Sequence, residues 1–469
     1  MSDDSTTVTL IEGLRALLAG LSPGDRLPSS RELIQQYRVG PVTVSRAIAR
    51  LAAEGAVVTR PGIGTFVAPR ALTHGELPDT AWQTVALTDR TVDTRSLTDS
   101  LGPAAAGTVV LDGGYLHRSL QPVATLSAAL ARAARRPDAW DRAPAAGLAS
   151  LRAVFAELAG GGVTPDDVLV TAGGQSALSI AFRAVAGPGS PVLMESPTYP
   201  GAIAAAMATG LRPIPVPTDG DGVRPDLLAD AFAMTGARLF YCQPTVHNPT
   251  GTALAPERRR QVVAVARAAG AFVVEDDFAR HLGHGGPLAA PLVAEDRDGT
   301  VIHLNSLTKP AAPSLRIGAL VARGPVMERM RAVRRVDDFF VARPMQEAAL
   351  EVVNSPAWNR HLRSLASTLR SRCAELAAAV ARELPEWTLG RPPAGGLHLW
   401  VRLPAGADAA VLARAAREHG VSVSAGDRYF ASEPPGAFLR LAFAATPSGA
   451  ELAEGVRRLA AAAASTPTG

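Results

Sequence analysis

At 469 residues, 47% apolar and 19% charged, the chain is long enough for a large core and more than one domain. Its net charge of +4 is too small to define a polyelectrolyte, and no apolar run approaches the roughly 20 residues that a membrane span needs. Two cysteines, Cys242 and Cys373, make no disulfide framework, and the acidic N-terminus is no signal peptide, so a cytoplasmic protein is expected.

Charge is unevenly placed. Residues 26–70 carry seven arginines against Glu32 and Glu54, whereas residues 1–25 carry only Arg15 against four acids. A local basic segment is the footprint of a nucleic-acid module. Leu10, Leu14, Leu17 and Leu18 fall at helical spacing and stop at Ser22-Pro23-Gly24-Asp25. Ser29 or Ser30 can cap a second helix over 31–37, with Leu33 and Ile34 inward. A third helix starts at Pro41, a favoured first-turn residue, and points Val44, Ile48 and Leu51 inward, leaving Thr43, Arg46 and Arg50 on its other face. After Gly55, residues 57–60, the turn Pro61-Gly62-Ile63-Gly64 and residues 65–67 read as a hairpin. Three short helices and a hairpin predict a winged helix-turn-helix over 1–70, with the third helix in the major groove of DNA. A small helical interaction domain is the alternative.

The segments 23–33 (PGDRLPSSREL), 43–47 (TVSRA), 51–55 (LAAEG) and 60–67 (RPGIGTFV) resemble the GntR family of bacterial regulators. The resemblance implies DNA contacts at Arg31, Thr43, Ser45, Arg46 and Gly62. Where that family has Ser-Arg entering the third helix, this chain has Gly40-Pro41. One expected contact is missing, and no operator sequence can be carried over.

Residues 71–111 mix Thr, Asp, Pro, Gly and Ala without sustained periodicity and read as a linker, in which Trp82–Leu87 can pack. From 112 onward, apolar strands near 167–171, 191–194, 238–242, 271–275, 301–304 and 317–321 alternate with Ala-rich helices. That alternation predicts an α/β body over 112–469 with a parallel sheet and helices on both faces. Its last part, from about 350, reads as a smaller α+β lobe.

Lys309 is the only lysine in the chain, beside 46 arginines. What lysine does and arginine cannot is lose a proton readily and attack a carbonyl carbon. It follows the apolar run Val301–Leu304, with hydroxyls at Ser306 and Thr308 before it and Arg316 after it. An amine flanked by hydroxyls and a guanidinium suits a carbonyl-bearing phosphate ester such as pyridoxal phosphate, whose phosphate Ser306 and Arg316 would hold. Gly173-Gly174-Gln175 sits between a strand and a helix, where free backbone N–H groups can cradle phosphate. Tyr199 can stack on an aromatic ring, or serve as core; Asn248 can donate to a phenolic oxygen, or mark an ordinary Asn-Pro turn. Glu275-Asp276-Asp277 ends a strand in three carboxylates, one of which could pair with a pyridinium nitrogen. The same acids lack His or Cys partners at ligand spacing, so no metal site is expected. Arg440, among apolar strand residues, is placed to bind a carboxylate.

Taken in order, Gly-Gly-Gln, Pro-Thr-Tyr, Asn-Pro-Thr-Gly, Glu-Asp-Asp, Ser-x-x-Lys with Arg seven later, and Leu-Arg-Leu resemble a fold-type I aminotransferase of class I/II from about residue 113 on. With the N-terminal module, the chain resembles the MocR/GabR-type subfamily of GntR regulators. The resemblance implies that Lys309 forms the internal aldimine, Asp276 pairs with the pyridine nitrogen, Asn248 donates to O3′ and Tyr199 stacks on the ring. It assigns phosphate to Gly174, Gln175, Ser306 and Arg316, and the ligand carboxylate to Arg440. It also implies a homodimer. That subfamily has Tyr two residues after the pyridine-binding Asp, donating to O3′; this chain has Phe278. The expected protein is a cytoplasmic regulator that binds operator DNA and senses an amine or amino acid through an external aldimine. A working aminotransferase with a fused DNA-binding domain is the alternative, and a body that binds ligand without the cofactor is a third.

Overall fold

In the structure, a computed structural model, residues 3–60, 62–68, 80–87, 102 and 105–466 are described. They fall into two compact units, one within residues 1–91 and the other within 92–469.

The first unit has three helices, α1 (Asp3–Ala19), α2 (Ser30–Tyr37) and α3 (Pro41–Ala53). An antiparallel hairpin of β1 (Val57–Arg60) and β2 (Gly64–Val67) follows. Ser29 starts α2 with a reciprocal cap: its Oγ accepts from Glu32 N at 3.3 Å, and Glu32 Oε2 accepts from Ser29 N at 2.7 Å. Pro41 is the first residue of α3, where its missing N–H costs nothing. Leu10, Leu14, Leu33, Val44, Ala47 and Leu51 are buried in one cluster, with Leu17, Leu18, Ile34 and Ile48 packed around it. These spacings are the ones that predicted the helices.

Residues 71–79, 88–101 and 103–104 of the expected linker lie outside the described residues, as do Pro61 of the wing turn and residues 69–70 at the end of the first module. Within the linker, Ala81–Ala86 is a short helix, and Trp82 and Leu87 are largely exposed rather than packed. Its C-terminal end also differs from the expectation. Val109–Val110 forms β3, parallel to β14 (Val421–Ser422), and Val109 and Leu111 are buried in the core of the smaller lobe. The body therefore begins before residue 112.

The large sheet of the body takes strands β4 (Val168–Thr171), β5 (Pro191–Ser196), β6 (Arg212–Asp219), β7 (Gly222–Val223), β8 (Leu239–Cys242), β9 (Phe272–Asp276), β10 (Val301–Ser306) and β11 (Gly318–Val321). Their order is β4-β11-β10-β9-β8-β5-β6-β7. The sheet is mixed, not parallel as expected: β11 runs antiparallel to both β10 and β4, and β7 antiparallel to β6. The short connection from Lys309 to Arg316 cannot carry a crossover, so the chain returns beside β10 in the opposite direction. The sequence reading also missed β6, whose alternate prolines 213, 215 and 217 argue against a strand. They are tolerated because the strand has a partner along its length on one side only, β5, and the non-proline residues alternate with them. Successive residues face opposite sides, so Val273 and Val301 enter one apolar layer while Val274 and Ile302 enter the other.

The smaller lobe is an antiparallel sheet of β12 (Thr388–Leu389), β13 (His398–Arg402), β16 (Phe438–Ala442) and β15 (Ser424–Ala425). The long helix Pro356–Glu383 and the helix Gly449–Ser465 contribute Leu369, Leu376, Leu452 and Val456 to its core.

Candidate cofactor site and DNA-facing residues

The sequence-predicted site residues lie at the ends of neighbouring strands. β4 ends at Thr171 and turns through Ala172-Gly173 into the helix Gly174–Val185. β8 leads to Gln243 and Asn248, β9 ends at Asp276, and β10 ends at Ser306 just before Lys309. Arg316 immediately precedes β11, and Arg440 comes from β16 of the smaller lobe. Carboxyl ends of parallel strands are where open α/β sheets bind ligands.

At one end of the site, Gly173 is the N-cap residue of its helix with φ 85°, and a side chain there would collide with the Arg316 guanidinium. Arg316 Nη2 donates to Ala172 O at 3.0 Å, which fixes the guanidinium beside the helix N-terminus. The first turn, with Gly174 and Gln175, offers free N–H groups and the positive end of a helix dipole. Ser306 is buried; its Oγ accepts from Thr308 N at 3.2 Å. Tyr199 donates to Gln175 Oε1 at 3.3 Å and Gln175 donates to Gly201 O at 2.7 Å. Gly201 leaves the space that the Tyr199 ring needs.

At the other end, Asp276 is buried and accepts through Oδ2 from Tyr241 Oη at 2.7 Å and Gln243 Nε2 at 2.9 Å. Gln243 Oε1 accepts from Asn248 N at 2.9 Å, and Gln243 N donates to Glu195 Oε2 at 2.8 Å. Burial pushes Glu195 up to about 8, the nearby Asp276 charge adding to the effect, so Glu195 is largely neutral at pH 7. Burial brings His247 down to about 4, and its Nε2 lies 3.5 Å from Glu195 Oε2. Asp276 is raised by burial too, against which Tyr241, Gln243 and the charge of Lys309 act in the lowering direction. Arg440 donates through Nη1 to Asn248 Oδ1 at 3.3 Å and through Nη2 to Asp112 O at 2.6 Å. With its oxygen so occupied, the Asn248 side chain keeps its amide nitrogen as a donor.

Lys309 lies between the two ends. Its Nζ donates to Gly114 O at 2.6 Å and sits 3.9 Å from the centre of the Tyr115 ring. Burial brings its pKa down to about 7; Arg440 and Arg316 add to the lowering and Asp276 opposes it. Near neutral pH a large fraction of this amine is therefore unprotonated and nucleophilic.

Several site groups escaped the sequence reading. Asp112, Gly113 and Gly114 form a strap whose successive carbonyls accept from Arg440, His398 (3.2 Å) and Lys309. Backbone carbonyls leave no trace in residue type. Tyr115, Tyr241 and Tyr429, whose ring lies 5.3 Å from the Arg440 guanidinium carbon, did leave one: with Tyr199 they are four of only five tyrosines in the chain.

In the first unit, Arg31, at the start of α2, is exposed, as are Ser45 and Arg46 on α3. Gly62 is exposed at the tip of the wing with φ 75°. Thr43 departs from the reading. It is 8% exposed, because it stands one turn before Ala47 and shares that residue's buried face. On the wing, the Arg60 guanidinium lies 5.1 Å from the centre of the Phe66 ring.

Asp276 Oδ1, Arg440 Nε and Thr308 Oγ1 are buried without a hydrogen-bond partner among the described residues. Such atoms are costly unless something fills the site. A carboxylate oxygen for a pyridinium, an amine for an aldehyde and a helix N-terminus with a guanidinium for a phosphate fit pyridoxal phosphate. The fold and the site thus define a pyridoxal phosphate-dependent body joined to a DNA-binding module.

Comparison with known proteins agrees. Residues 113–459 match aminotransferase class I and II, and residues 6–67 match the gntR family of bacterial regulatory proteins. The chain belongs to the class I and II aminotransferase family, in the form fused to a GntR-type domain that MocR-type regulators share. It is 30% identical over 443 residues to the uncharacterized HTH-type transcriptional regulator YdcR of Escherichia coli, covering 92% of this chain and 93% of that one. It is 28% identical to the probable rhizopine catabolism regulatory protein MocR of Rhizobium meliloti, covering 91% and 87%. Its structure is similar to that of LysN, an alpha-aminoadipate aminotransferase from Thermus thermophilus, with a TM-score of 0.72 at 30% identity, covering 81% and 96%.

Proposed function

We propose that this regulator binds double-stranded operator DNA through residues 1–70 and senses an amine or amino acid at Lys309, working as a homodimer in the cytoplasm. The observation that carries the reading is a half-buried Lys309 amine held on Gly114 O, with its pKa lowered by burial, Arg440 and Arg316 and opposed by Asp276, in a chain that also carries a basic winged helix. Bound pyridoxal phosphate supplies an aldehyde that condenses with amines and a ring that withdraws electrons. The chain's own groups do the rest. The helix N-terminus at Gly174 and Arg316 hold the phosphate, with Gln175 and Ser306 beside them. Asp276 keeps a negative charge at the ring nitrogen, Asn248 donates to the phenolic oxygen, and Tyr199 covers a ring face. Arg440 takes the carboxylate of an incoming amino acid, which then competes with Asp112 O and Asn248 Oδ1 for the guanidinium.

A ligand that binds one arrangement of the body better than another shifts the population between them, and with it DNA affinity. Aminotransferase turnover is the second reading, favoured by the same Lys309 amine, which is suited to moving a proton near pH 7. Selection of genomic fragments with the cofactor-loaded protein tests the proposal. Enrichment of discrete fragments, with affinity changed by an amino acid that also changes the visible spectrum, is the expected result. Absence of sequence-selective enrichment together with steady keto-acid release would assign the chain to the second reading.

A further inference from the structure

One side chain ties together the two groups assigned to the ring nitrogen and the phenolic oxygen of the cofactor, which flank the same ring carbon. Gln243 is 2% exposed, and every polar atom of its side chain is engaged within the site: Nε2 on Asp276 Oδ2, Oε1 on the N–H of Asn248. Its own N–H is fixed on Glu195 Oε2. Tyr241, fully buried and edge-on to Phe182 with ring centres 6.2 Å apart, brings a second donor to the same Asp276 oxygen. Both donors converge on Oδ2, and Oδ1 is left buried and unpaired. A symmetric arrangement would have engaged both oxygens; this one leaves all of the acceptor capacity of Oδ1 for a ligand.

We propose that Gln243 and Tyr241 are positioning residues, which hold Asp276 by Oδ2 so that Oδ1 meets the ring nitrogen, with Gln243 setting the separation between Asp276 and Asn248. The proposal rests on the assignment of Asp276 to the ring nitrogen. Its physical content is twofold. Donors to a carboxylate favour the ionised form, so each helps a buried acid remain negative, as a protonated ring nitrogen requires. The shared Gln243 amide also makes the Asp276 and Asn248 positions interdependent, so that loosening one loosens the other.

The experiment titrates pyridoxal phosphate into cofactor-free full-length protein, by visible absorbance, from pH 5.5 to 8.5. Thermal melting without cofactor serves as the check on folding. Tyr241→Phe removes one charge-assisted hydrogen bond and keeps the ring. It should weaken cofactor affinity about tenfold at neutral pH, and the acid-side loss of affinity should move to higher pH. The sign follows from the donor: without it, Asp276 protonates more easily, and the ring nitrogen loses its partner earlier as pH falls. In an Asp276→Asn background the same Tyr241→Phe change should cost less than about twofold, since its route of action is gone. Gln243→Met is the second variant and should weaken binding in the same background-dependent way. Equal losses from Tyr241→Phe in both backgrounds, or an acid limb that does not move, would overturn the positioning role. If Asp276→Asn alone left affinity unchanged, the assignment of Asp276 itself would fall, and the proposal with it.

Discussion

The winged-helix unit and the aminotransferase-type body use their charged groups in opposite ways. In the first unit the groups proposed to meet DNA are, apart from Thr43, exposed and come from one short stretch, Arg31 to Gly62. Water screens each of them, so each acts as a separate increment of charge. In the body the working groups are buried or half-buried and come from segments spread between Asp112 and Arg440. Burial there shifts Lys309 and Glu195, and the state of each depends on its neighbours: Lys309 on Arg440, Glu195 on Asp276. Substitutions should therefore act additively on DNA binding and non-additively in the cofactor site.

The largest effect expected is at Lys309. Lys309→Arg keeps a positive charge but no nucleophilic amine, because guanidinium stays protonated at neutral pH. Visible absorbance from covalently linked cofactor should vanish altogether. Retention of that absorbance would mean that the body does not depend on this residue.

On the DNA side, the double variant Arg31→Ala, Arg46→Ala should reduce the salt slope of log affinity for selected DNA by about two, one for each phosphate that is no longer neutralised. Each single variant should give about half of the double effect. An unchanged slope would remove these two arginines from the interface, and strong non-additivity would blur the contrast with the body.

A pH measurement sharpens the contrast from the other side. Arg440 and Arg316 both lower the Lys309 pKa, which lies near 7. The rate at which cofactor-free protein captures pyridoxal phosphate should rise through pH 7 as the amine loses its proton. Arg440→Gln removes one of the cations, so the Lys309 pKa should rise and the rate profile should move to higher pH. A profile that stays in place would disconnect the two residues.

Phe278 gives a smaller effect. It is buried and packs in the apolar cluster with Val246 and Leu282, where the regulator subfamily has a hydroxyl donor to the phenolic oxygen. Phe278→Tyr should restore a donor that favours loss of the proton from the nitrogen linking Lys309 to the cofactor. The spectroscopic pKa should fall by about one to two units. Smallest is Ser29→Ala, which removes half of the reciprocal cap on α2 and should cost the DNA-binding unit about 1 kcal/mol in thermal or denaturant unfolding.

How much of this was legible in the sequence follows the same division. Helical spacing and capping residues specified the first unit almost residue by residue. Thr43 was misread because a residue at the border of a helix face is decided by neighbouring elements, not by its own spacing. In the body, motif order picked out the groups that the structure brings together, since lone Lys, Asn-Pro-Thr-Gly and Glu-Asp-Asp follow strand ends, where chemistry gathers. The strand near 317–321 was expected, but its antiparallel direction was not, because direction depends on connection length; β6 was missed because proline composition hides an edge-like strand. Tyr241 and Gln243 belong to none of the sequence motifs; only folding shows that both donate to one oxygen of Asp276. The carbonyls of the Asp112–Gly114 strap have no sequence signal at all.

The central claim is that one amine in the whole chain anchors the sensor. Borohydride reduction of the cofactor-loaded protein, followed by peptide mapping, tests it most directly, because the chain has a single ε-amine. Phosphopyridoxyl label on the peptide containing Lys309, at close to one per chain, is the predicted result. Label confined to the N-terminal α-amine, or no label, would contradict the account.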